Sequence, residues 1–163
     1  MRPRLALDQN FPVPIIKALQ DSIVEVSLDP IYEIDPRLSR LDDWALLVAL
    51  KNHPAQYMGL ITTDARMLDQ PRELAAMLQT GLSMIVAVGA GHDPLRATGL
   101  VLTHLPRIAT LLKAHTPQIW RLNAHTPKPD TPRELIQALA SKQKTSFPEL
   151  FNSVKLTESE LSG

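Results

Sequence analysis

A chain of 163 residues, 44% hydrophobic and 21% charged, has the size and composition of a soluble globular domain able to bury a substantial core, which excludes wholesale disorder. Lysine plus arginine and aspartate plus glutamate each number 17, so the formal net charge is zero and any nucleic-acid role has to come from a local site rather than a global basic field. The absence of cysteine excludes disulfides, thiolate metal sites and a cysteine nucleophile, and no apolar run is long enough for a signal peptide or a bilayer span, so a soluble cytoplasmic protein is expected.

Leu5-Ala6-Leu7 reads as a short buried strand ending on Asp8. Asn10-Phe11-Pro12-Val13-Pro14 then turns into a helix, because proline is tolerated in a first helical turn where its missing N–H has no partner. Ile15, Ile16 and Leu19 form the apolar stripe of that helix. Ile23-Val24-Glu25-Val26-Ser27-Leu28 alternates with period two and predicts a second strand. Asp29 to Arg40 holds Asp-Pro twice and reads as an irregular connection. Leu41 to Leu50 predicts a helix whose start carries Asp42 and Asp43, both suited to capping and to the positive end of the helix dipole; Asn52-His53-Pro54 stops it.

Met58 to Thr63 predicts a third strand, again followed by an aspartate, Asp64, and Arg66 to Thr80 a helix broken near Pro71. Leu82 to Val88 is apolar throughout, the pattern of a central strand covered on both faces. A turn through Gly89-Ala90-Gly91-His92-Asp93 leads into a long helix from Pro94 to Ala114, with Pro106 as a site for a kink. Gln118 to Leu122 predicts an edge-type fifth strand. The Pro-rich link Thr126 to Pro132 precedes a helix through about Lys142, and the piece from Phe147 to Leu150 with the polar end is expected to dock weakly or fray.

Strand alternating with helix predicts an α/β fold, a three-layer α/β/α sandwich around a mostly parallel sheet of four to five strands. Residues 1–122 form the predicted domain and 123–163 a Pro-rich link with a helical appendage. In such sheets ligands sit beyond the carboxyl ends of the strands. Asp8 and Asp64 fall there, and so does the helix start at Asp42 and Asp43. Each aspartate alone also reads as a turn or cap residue. Together, carboxylates converging at one sheet edge repel one another unless a cation is present. A hard divalent ion such as Mg²⁺ suits oxygen ligands and can activate water and stabilise charge on a phosphodiester.

Other motifs point to less. His53, His92, His104, His115 and His125 form no close pair of zinc-ligand spacing. Ser22, Ser27 and Ser83 lack a nucleophile-elbow setting. Trp44 and Trp120 read as packing anchors, and Arg66 as the basic residue best placed for a phosphate or as a solvated helix residue.

Leu7-Asp8-Gln9-Asn10-Phe11-Pro12, Asp42-Asp43-Trp44 and Ile61-Thr62-Thr63-Asp64 together resemble the PIN-like domains, in particular small bacterial ones whose first strand ends in Asp-x-Asn-x-Pro. The resemblance covers residues 4–115. It implies an α/β/α fold and a ribonuclease that depends on Mg²⁺ or Mn²⁺, cleaves single-stranded RNA and is often the toxin of a toxin–antitoxin pair. It makes Asp8 and Asp64 metal ligands and catalytic residues. The middle acid matches Asp42 or Asp43, with Asp43 favoured as ligand and Asp42 as cap. It gives Asn10 the role of holding a bound water or a neighbouring carboxylate, offers Thr62 or Thr63 to position Asp64 or a phosphate, and makes Asp93 either a fourth acid or simply a helix cap. The expected partners are RNA and a protein antitoxin, and the appendage either packs on the domain or serves a homodimer or antitoxin interface. Two other readings stand beside this one: a non-catalytic PIN-like binding module, which the neutral charge favours, and a haloacid-dehalogenase-like phosphatase, which wants a second aspartate where the chain has Asn10.

Overall fold

Five short strands, β1 (Arg4–Leu7), β2 (Ser27–Pro30), β3 (Gly59–Thr62), β4 (Ser83–Ala87) and β5 (Ile119–Leu122), pair in parallel throughout, in the order β2-β1-β3-β4-β5. The computed structural model that gives this arrangement describes residues 2–9 and 11–163. The helices are α1 (Val13–Ser22), α2 (Ile31–Ile34), α3 (Asp43–Asn52), α4 (Pro71–Thr80), α5 (Pro94–Leu111), α6 (Pro132–Lys142), α7 (Phe147–Val154) and α8 (Glu158–Ser162). Among the described residues no helix is long and apolar enough to cross a membrane.

Every residue of β3 and β4 is buried, as strands covered on both faces require. Period-two alternation divides their side chains between two cores. Leu5, Leu7, Ile61, Ile85 and Trp120 pack with Ile16 and Leu19 of α1 and with Val101, Leu105 and Ile108 of α5. Ala6, Leu60, Met84, Val86 and Ile119 point the other way, toward Leu47 and Leu50 of α3, Leu74 and Met77 of α4 and Ile136 of α6. The result is three layers, as the strand and helix alternation predicts. Gly59 is required by close approach: a Cβ there would strike the Ser83 carbonyl oxygen of the adjacent strand.

Three local expectations need correction. The second strand begins at Ser27, opposite Arg4, and not at Ile23. Ile23 closes α1 through its N–H to the Leu19 carbonyl at 2.9 Å, and Ile23 and Val26 are buried in the α1–α5 core while Val24 is exposed. Ile23 and Val26, three residues apart, plug that core and do not pair in the sheet. The connection from Asp29 to Arg40 is largely helical: α2 follows Pro30, and a 3₁₀ turn over Pro36–Arg40 is capped by Asp35, whose side chain accepts from the Arg37 N–H at 2.9 Å. Here the prolines start helical turns instead of breaking them.

The C-terminal end does not fray. Thr131 with Glu134 and Thr157 with Glu160 make reciprocal capping boxes, which satisfy N–H groups that would otherwise be orphaned at the helix starts. Leu150 and Leu156 are buried in the same core as α3 and α4. The Gln79 side chain grips the Leu156 backbone twice, donating at 3.0 Å and accepting at 2.8 Å. Arg72 pairs with Glu160, and the Asn52 amide donates to the Leu161 carbonyl at 2.9 Å. The last helices therefore complete one layer of the sandwich.

Candidate functional site

Sheet order reverses beside β1, which has β2 on one side and β3 on the other. At such a switch point the connections leave in opposite directions and open a crevice beyond the carboxyl ends of the strands. Asp8 and Asp64 stand at this place. The Asp8 N–H donates to the Ile61 carbonyl at 2.9 Å, extending the ladder one residue past β1 and fixing where its side chain emerges.

One hydroxyl ties the two acids together. Thr62, the fully buried last residue of β3, donates from Oγ1 to Asp8 Oδ2 at 2.7 Å and accepts the Asp64 N–H at 3.1 Å. Asp8 Oδ1 accepts the Gln9 N–H at 2.7 Å. Asp64 is held by Arg66: Oδ1 accepts its N–H and its Nε, both at 3.0 Å, and Oδ2 accepts its Nη2 at 2.9 Å. The Arg66 side chain is 84% exposed. Its hydrogen bonds, outweighing partial burial, hold the Asp64 carboxyl below the usual aspartate range.

Asp43 is the first residue of α3 and half-buried. Burial pushes its carboxyl up from the ordinary value, and the charges of Asp64 and then Asp8 push it further, while Arg66 opposes them and Asp42 adds a little. Of the two neighbouring aspartates, Asp43 therefore feels the strand-end acids. Asp42 occupies the cap position of α3 but makes no capping side-chain hydrogen bond. It lines a shallow hollow of about 390 Å³ with Trp44, Gln70, Arg72 and Glu73.

Glu73 is a further acid of this edge, absent from the candidates the sequence singles out. Burial raises its carboxyl, and the Asp43 charge raises it further. The signal was present, since Pro71 followed by a glutamate marks the first turn of a helix, and α4 begins at this same edge. Arg72, its neighbour, is engaged elsewhere, stacked over Trp44 at 4.6 Å and paired with Glu160. Asp93 caps α5, accepting the Arg96 N–H at 3.0 Å. Asn10 lies outside the described residues.

The donor chemistry here is all oxygen, which fits Mg²⁺ or Mn²⁺ and disfavours the softer, imidazole- or thiolate-bound metals. Asp8, Asp43 and Asp64 are the residues that would hold such an ion. In the arrangement described, no three acidic or histidine side chains among the described residues are grouped closely enough to do so, and Arg66 supplies the counter-charge at Asp64 instead. Comparison with known protein families, with curated proteins and with solved structures returns no match for this chain.

Proposed function

We propose that the chain is a PIN-like, divalent-metal-dependent ribonuclease that cleaves phosphodiester bonds of single-stranded RNA. The observation that supports this reading is the coupled acid set at the switch point: Asp8 and Asp64 joined through Thr62, and Asp43 raised by burial and by both of their charges. Acids that repel one another in a crevice store a demand for positive charge. When bound, Mg²⁺ or Mn²⁺ supplies neutralisation of charge at the scissile phosphate and activation of the attacking water.

The remaining work falls to the chain's own side chains. Thr62 orients Asp8 by occupying one carboxylate oxygen. The Thr62 bond to the Asp64 N–H fixes the backbone from which Asp64 projects. Burial and the charges of Asp64 and Asp8 raise the Asp43 carboxyl, and positive charge placed beside it would relieve that repulsion. Arg66, 84% exposed, can exchange Asp64 for a phosphate oxygen of the substrate, since its planar fork matches both. The same reading makes a protein antitoxin the accompanying partner.

The test is cleavage of a labelled single-stranded RNA of mixed sequence in Mn²⁺, expected to be abolished by chelator and by Asp8→Asn or Asp43→Asn. No cleavage in either Mg²⁺ or Mn²⁺, with no heat on titrating Mn²⁺, would sink the proposal. One observation favours a second reading, a non-catalytic module of the same fold: Arg66 already occupies both oxygens of Asp64. That reading requires Mn²⁺ titration to give no heat that depends on Asp8.

A further inference from the structure

A cavity lies at the opposite edge of the sheet, where β1 and β2 begin and the chain enters β3 and β4. It encloses about 530 Å³, within the size range of small-molecule sites. Arg2, Lys51 and His115 line it, as do Tyr57, Met58 and Leu82. The Lys51 ammonium lies 3.4 Å from His115 Nδ1. Among the described residues no carboxylate pairs with Arg2, Lys51 or His115. Arg4, also on the wall, is by contrast neutralised: Asp29 Oδ2 accepts from its guanidinium at 2.7 Å and from the Tyr57 hydroxyl at 2.8 Å.

The cavity wall is held in shape by unusual backbone. Gln56 and His115 both sit in the left-handed region, at φ 56° and 60°, which non-glycine residues enter at a cost. Gly81, at φ 73°, faces His115 so closely that a Cβ would lie 3.1 Å from the His115 Cα. A bridge between Lys113 and Thr116 closes the turn that presents the imidazole. Strain of this kind persists only where the surroundings over-determine it.

We infer that this cavity binds a small organic phosphate. Arg2, Lys51 and His115 come from three separate parts of the chain and present donors without a partner acid. They suit a dianion with several acceptor oxygens better than a single carboxylate. The apolar side chains of Tyr57, Met58 and Leu82 give the body of the ester a surface to lie on, so a phosphate ester should bind better than phosphate alone.

Calorimetric titration with adenosine monophosphate and, separately, with inorganic phosphate tests this on the full chain, with amide chemical shifts locating the site. The expected result is saturable heat from the nucleotide, weaker or absent heat from phosphate, and shifts at Gln56, Gly81 and Ala114. Lys51→Glu, on an exposed helix position, should weaken nucleotide binding by about tenfold or more, the loss of one charge-assisted contact. The same charge reversal at Lys142→Glu, remote on α6, should leave it unchanged. No saturable heat from the nucleotide, equal affinity for phosphate alone, or shifts confined to other surfaces would each overturn the inference.

Discussion

Asp43→Asn should make the metal-free protein more stable at neutral pH while removing a carboxylate from the proposed site. Its carboxyl is raised by burial first and then by Asp64 and Asp8, so the folded state binds that proton more tightly than the unfolded chain does. A raised folded-state value means that Asp43 contributes stability below its unfolded pKa of about 3.9, and that this contribution is lost as pH rises through the folded value. Asparagine, neutral throughout, escapes that loss. Asp43 remains partly exposed, so solvent screening limits the gain to the lower part of the range for relieving a poorly placed charge, about 0.5–1 kcal/mol. For a chain of this length that corresponds to a rise in Tm of about 1–4 °C. Thermal unfolding of both proteins in chelator, at pH 7 and near pH 3, measures it: the difference should appear at the higher pH and vanish at the lower. Saturating Mn²⁺ should reverse the order at neutral pH, because an ion bound only by the native state adds about 2.7 kcal/mol at a hundredfold excess over Kd. A variant less stable than the parent in chelator at pH 7, or a difference that persists in acid, would refute the account of Asp43.

Thr62→Val keeps the side-chain shape but leaves an Asp8 oxygen and the Asp64 N–H without their shared partner; a loss of about 1–3 kcal/mol is expected in urea unfolding. Two glycines should answer oppositely to alanine. Gly99, exposed in the middle of α5 with open space where a methyl would go, should gain about 0.5–1 kcal/mol, whereas Gly59→Ala forces a methyl into the Ser83 carbonyl and should lower the yield of folded protein sharply. Leu150→Ala empties a buried position on α7 and should cost about 2–5 kcal/mol in a single cooperative transition; a separate early transition would show instead that the last helices unfold independently.

What the sequence revealed follows from which interactions are local. Strand ends were legible because the apolar run Leu5 to Leu7 stops at Asp8 and Leu60-Ile61 passes through two threonines to Asp64, and every residue of these strands but Arg4 is buried. Strand order was not legible, since nothing in β1 alone states that β3 will lie beside it. The period-two run Val24, Val26 and Leu28 overstates the length of β2, because Val26 is buried in a core outside the sheet and Val24 is exposed. The docking of α7 and α8 was invisible for a related reason: their partners, Gln79, Arg72 and Asn52, lie far back in the chain. At the site, Asp8 and Asp64 stood out as strand-end acids, whereas Glu73 joins Asp43 only because α3 and α4 begin at the same sheet edge. The fork of Arg66 on Asp64 is local, yet which of its candidate partners it takes is decided by the 3₁₀ turn at Ala65–Asp69.

The zero net charge, which weighed against nucleic acid at the level of composition, conceals two unlike edges. Acids Asp8, Asp42, Asp43, Asp64 and Glu73 gather where the strands end, and Arg2, Arg4, Lys51 and His115 line the cavity where they begin. A parallel sheet favours this separation. Because every strand runs the same way, α3, α4 and α5 all start at the carboxyl edge, and the positive ends of their dipoles lower the cost of acids there; Lys51, in the last turn of α3, meets the negative end. Backbone polarity thus sorts the side chains before any ligand is considered. On such a molecule the net charge carries no information about partners, and each edge has to be judged by its own field, one rich in carboxylates and one lined by basic side chains.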